Sequence, residues 1–60
     1  MSAPTPSDLE GFYSALSDAI DTVGPQRESL MLAKLALLLA HELGDCPRAH
    51  ALIAEACLDL

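Results

Sequence analysis

An all-α fold of three helices in an up-down-up bundle is what this sequence predicts, and three observations carry it. Ala and Leu dominate the 52% of the chain that is apolar, and only two of the 60 residues are aromatic. The β-branched residues are confined to Thr5, Ile20, Thr22, Val23 and Ile53, so composition favours helix over strand. Two glycine-centred breaks, Gly24-Pro25 and Gly44-Asp45, divide the chain into three segments whose apolar residues recur at helical spacing.

Residues 1–6 hold two prolines and no apolar periodicity, which predicts a flexible N-terminal tail. Helix 1 is expected over 7–23. Ser7 followed by Glu10 has the spacing of a capping box, and Thr5 with Pro6 is an alternative, earlier cap. Leu9, Phe12, Leu16, Ile20 and Val23 fall on one stripe, while Glu10, Asp18 and Asp21 fall opposite. Tyr13 lies on the apolar stripe and reads as a core residue with its hydroxyl at the edge. Gly24, expected in the left-handed conformation, and Pro25 end the helix.

Helix 2 is expected over 25–43, with Pro25 in its first turn and a connection short enough to fold helices 1 and 2 into an antiparallel hairpin. Ten of the eleven residues from Leu30 to Ala40 are Leu, Met or Ala. The apolar stretch is shorter than the ~20 residues that span a bilayer and includes Lys34, His41 and Glu42. It reads as a buried helix. On a helical wheel Leu30, Ala33, Leu37, Ala40 and Leu43, with Leu32, Ala36 and Leu39, make one broad face for helices 1 and 3 to cover. Arg27, Lys34 and His41 form one polar stripe, and Glu28 and Glu42 form another. Met31, Leu35 and Leu38 form a second apolar strip, to be covered by helix 3 or the tail, or else by a partner protein. The partner is the reading adopted, because apolar strips rimmed by charge commonly mark interfaces.

Helix 3 is expected over 46–59, with Asp45 as its N-cap and Pro47 in its first turn. Ala49, Leu52, Ile53 and Ala56 share the inward face, so residues 7–60 make one domain. A compact chain of this size buries only about 60% of its unfolded surface, which leaves it marginal and makes dimerisation a natural way to complete the core.

Net charge is −6, which opposes binding to nucleic acid or to an anionic membrane surface. No basic, apolar secretory leader opens the sequence, and a cytoplasmic location is expected. Cys46 and Cys57 are then free thiols, since eleven residues of helix separate them by roughly 16 Å, too far for a disulfide.

Chemistry-bearing residues are sparse. His41, Cys46, His50 and Cys57 are the soft metal ligands of the chain, and Cys46, His50 and Cys57 are the candidates for a metal- or redox-responsive site. Their spacing matches no metal-binding pattern, so neither metal nor cofactor is expected. No phosphate-cradling loop or nucleophile motif occurs, and an enzyme is not expected. Helix 1 carries four acids and no base. Its Asp18 and Asp21 are candidate docking residues for a basic partner.

The segment from Lys34 to Asp45, with Phe12-Tyr13, Ala15-Leu16 and Ser29 before it, resembles a family of small uncharacterised bacterial all-helical proteins, a domain of unknown function of about this length. Lys34 stands where that resemblance expects Arg, and His41 where it expects Asn. The resemblance implies no catalytic residue and no cofactor. Genes of the family often lie beside flavin-dependent aromatic monooxygenases, which implies such an oxygenase as a partner. The expected function is that of a non-catalytic protein-protein interaction module, accessory to another protein or paired with itself as a homodimer.

Overall fold

A computed structural model of the chain describes residues 3–60. Three helices follow one another, α1 over Pro6–Val23, α2 over Glu28–Leu43 and α3 over Cys46–Ala56, with no strand among the described residues. The all-α, three-helix fold is the one the sequence predicts.

The boundaries differ in detail, for local reasons. Thr5 rather than Ser7 caps α1. Its hydroxyl accepts the Asp8 N–H at 3.1 Å, while an Asp8 carboxylate oxygen accepts the Thr5 N–H at 3.1 Å, and Pro6 occupies the first turn. Proline needs no N–H partner there, so the helix begins within the expected tail. The part of that tail formed by Met1 and Ser2 lies outside the described residues. Gly24 ends α1 at φ 83° and ψ 164°, not in the left-handed helical region but in one open essentially to glycine alone. Its carbonyl accepts the Arg27 N–H at 3.2 Å, closing a turn with Pro25 at its second position. Pro25 therefore belongs to the turn, and α2 starts at Glu28, three residues later than the sequence predicts.

Gly44, left-handed at φ 72°, closes α2 by donating its N–H to the Ala40 carbonyl at 3.1 Å. Asp45 then caps α3 as expected, its carboxylate accepting the Arg48 N–H at 2.9 Å. α3 stops at Ala56, not at Asp59. From Cys57 the hydrogen bonds tighten to three-residue spacing, Leu58 N–H to the Glu55 carbonyl, and Asp59 turns to φ 56°. Asp is among the residues that tolerate this conformation.

Packing departs further from the expected bundle. Among the described residues none is buried, and α1 does not bring a Cα within 8 Å of α3. No two described residues twelve or more apart in sequence approach that closely. Each helix meets its neighbour near the connecting turn and then diverges. The radius of gyration is 12.9 Å, against about 10 Å for a compact chain of this length. Accessible surface is 5485 Å², against about 3,700 Å² for a compact 6 kDa protein and about 9,100 Å² unfolded. The single chain thus removes roughly 40% of its surface from water, where a compact domain removes about 60%.

Candidate interaction surface

Apart from the Arg27, Lys34 and His41 stripe and the polar Glu28, Ser29 and Glu42, α2 is apolar, so the side from which each neighbour approaches decides what is left open. Half-burial in the first two-thirds of α2 falls on Glu28, Met31, Leu32 and Leu35, and in α1 on Leu16, Ser17, Ala19, Ile20 and Val23. Folded about Gly24 and Pro25, the two helices turn these sides toward each other, and they touch only beside the turn. α1 thereby meets α2 on the side of Met31 and Leu35, two of the three residues singled out as a partner strip. The third, Leu38, is 56% exposed.

α3 approaches from another side and at the other end of α2, where half-burial falls on Ala40 and Ala49. Because the two helices diverge from Gly44, they enclose an open groove of about 1260 Å³. Alanines at 33, 36, 40, 49 and 56 keep it wide, and Leu37, Leu43, Leu52 and Ile53 form its apolar walls. Glu42, Cys46 and His50 supply its few polar groups. Leu37 is 73% exposed and Ile53 63%. These residues were expected to form the core under helices 1 and 3; in the structure they line open space, because α1 sits on a different side of α2 and does not reach α3.

A second exposed apolar stripe lies on the N-terminal half of α1. All residues from Pro6 to Ala15 are exposed, Leu9 and Phe12 among them, and Tyr13 at 71% is not the core residue its position on the stripe predicts. Half-burial in α1 begins only at Leu16, and the α1–α2 contact itself lies beside the turn.

Asp18 and Asp21 are exposed, and among the described residues neither forms an ion pair. The Asp18 carbonyl accepts the Thr22 hydroxyl at 2.9 Å. Arg48 and Glu55 approach to 3.9 Å on the exposed side of α3, a pairing worth little in solvent. Asp8 is held below the ordinary aspartate range by its hydrogen bonds to the Thr5 backbone and side chain, which is the signature of a helix cap and not of a reactive site.

Cys46 and His50 both edge the groove, whereas Cys57 and His41 do not. Both thiols are free and exposed, and among the described residues no three His, Cys, Asp or Glu side chains come together as a metal-holding group. Also among the described residues, no helix is long and apolar enough to cross a membrane.

Sequence reasoning named Met31, Leu35 and Leu38 and passed over the groove and the Leu9, Phe12 and Tyr13 stripe. The signal that could have found them was size, since a chain of about 60 residues buries little surface and is marginal alone. Comparison of the chain with protein-family models, curated proteins and solved structures finds no match.

Proposed function

We propose that the protein is a non-catalytic protein-protein interaction module that completes its hydrophobic core on another polypeptide. The observation that carries this reading is the 5485 Å² of accessible surface on a chain with no buried residue among those described. The excess over a compact fold is about 1,700 Å² of polar and apolar surface together. Part of the exposed apolar surface lines the groove between α2 and α3, and the rest lies on residues such as Leu9, Phe12, Leu30 and Leu38.

The partner is a second copy or an accessory target in the cytoplasm. The family resemblance makes a flavin-dependent oxygenase the target to try first, with Leu38 and the exposed Asp18 and Asp21 as additional contacts. The two kinds of contact respond oppositely to salt. Docking of a basic protein on Asp18 and Asp21 weakens as ionic strength rises, whereas filling of the apolar groove does not.

Dye binding and hydrodynamic radius measured over a dilution series test the reading. The isolated chain should be expanded and bind 8-anilinonaphthalene-1-sulfonate when dilute, and should lose both properties when a partner or a second copy fills the groove. A compact monomer that binds no dye at the lowest concentration would show that the chain fills its own groove, and the proposal would fail.

A further inference from the structure

The structure points to an occupant for the groove between α2 and α3: the N-terminal half of α1 from a second copy of the chain, inserted reciprocally in a two-fold dimer. This inference rests on the reading of the chain as an interaction module and names its partner.

Area is the first argument. Each chain exposes about 1,700 Å² more than a compact fold of its mass, so two copies have at most roughly 3,400 Å² of excess to bury in total, of which the groove and the stripe are a part. That ceiling leaves room for the roughly 1,200–2,000 Å² that a specific interface buries. A short peptide or a small ligand would leave much of it in water.

Shape is the second. Pro6 to Ala15, the fully exposed half of α1, is about 15 Å of helix, and the eleven residues of α3 are about 16 Å. The inserted element therefore matches the wall it would lie against. Its protruding side chains are Leu9, Phe12 and Tyr13, and Phe12 and Tyr13 are the two aromatic residues of the chain. The groove offers alanines at 33, 36, 40, 49 and 56. Bulky residues on one side and small ones on the other are the complement that helix packing requires.

Connectivity is the third. The same two surfaces lie apart in one chain, since α1 brings no Cα within 8 Å of α3 and the glycine conformations at 24 and 44 set the course of both connections. A second copy brings them together without altering either turn. Two-fold symmetry then makes the contact twice, so no groove and no stripe is left open.

Complementation of two defective chains is the deciding experiment, with neutral helix-forming substitutions that leave charge and helicity unchanged. One chain carries Leu9→Gln and Phe12→Gln, which spoil the inserted stripe. The other carries Leu37→Gln and Ile53→Gln, which spoil the groove. By sedimentation equilibrium the wild type should be dimeric, and each variant alone should associate at least about a hundredfold more weakly, because its dimer would contain two spoiled contacts. An equimolar mixture should recover the dimer mass, since one intact stripe then meets one intact groove. A mixture that stays monomeric, or a stripe variant that still dimerises, overturns the assignment while leaving an interaction module. A monomeric wild type that binds dye does the same. A compact monomeric wild type that binds none overturns both. Thiol modification of the wild type gives a readout that no folding defect can mimic. Cys46, on the groove, should react at least about tenfold more slowly in the concentrated dimer than in dilute protein, with Cys57 as the unshielded reference. Unchanged protection of Cys46 over that range overturns the inference.

Discussion

Leu30 and Leu37 offer a matched pair of perturbations. They are the same residue type, lie two turns apart on α2, and are 72% and 73% exposed in the isolated chain. Only Leu37 lines the groove. If the single chain were the whole folded unit, truncating either leucine to alanine would remove little buried area, and both effects would stay within about 0.5 kcal/mol. If the groove is filled in the working assembly, Leu37 becomes buried and Leu30 does not. Full burial of a leucine side chain is worth about 1.5–3 kcal/mol, so covering the roughly three-quarters now exposed contributes about 1–2 kcal/mol. The void left by truncation raises the loss toward about 3 kcal/mol per chain. Leucine and alanine differ little in helix propensity, so this term is small at both positions. Urea unfolding followed by circular dichroism, at two protein concentrations about a hundredfold apart, reads the difference directly. Leu37→Ala should lower the midpoint well below that of Leu30→Ala at the higher concentration, and the gap should shrink on dilution. Equal losses for the two variants at every concentration would refute the reasoning.

The capping and turn geometry yields further outcomes. Thr5→Ala should destabilise α1 by about 1 kcal/mol while Ser7→Ala stays below about 0.5 kcal/mol in thermal unfolding, because Thr5 makes the capping bonds. Asp8 has its folded pKa lowered from the ordinary 3.8 by the Thr5 hydrogen bonds. Its contribution to stability is therefore complete above 3.8 and is lost as pH falls through the lower folded value. Asp8→Asn should remove that acid-dependent loss from an unfolding series between neutral pH and strong acid. The glycines should split in sign. At Gly11, inside α1 with no atom within 4 Å of an added Cβ, alanine should raise stability by about 0.5–1 kcal/mol. At Gly24 the space is equally open but φ is 83°, and alanine should lower stability by about 1–3 kcal/mol.

Local chemistry explains how much of the fold could be read from the chain. Asp45 caps α3 and Gly44 closes α2 because each acts on groups within four residues of itself, and spacing reports such interactions faithfully. Thr5 and Ser7 were a closer contest, since both precede an acid by three residues. The proline at position 6 favours Thr5, being pre-organised for the first helical turn. Pro25 pointed two ways as well. Its fixed φ fits a helix start and the second position of a turn equally, and the Gly24 carbonyl bonding to Arg27 settled it as a turn.

The partition of α2 into inside and outside could not be read in the same way, and the reason is physical. A helix that is apolar on nearly all sides has only a weak amphipathic direction, so its own sequence does not say from where its neighbours approach. The broad face containing Leu37 and Leu43 has more leucine than the strip of Met31 and Leu35, and area alone would have α1 cover the broad face. The connection overrides area. Gly24, in a conformation reserved for glycine, brings α1 onto the side of Glu28, Met31, Leu32 and Leu35, and Gly44 sends α3 to another side. What remains open is then set by two backbone conformations and not by hydrophobicity. An apolar face left open by backbone geometry still carries the full hydrophobic drive to be covered. Among the described residues α1 does not reach α3, so the chain does not cover it. The open groove is therefore a consequence of the same turns that define the helices, and altering Gly24 should change association as well as stability.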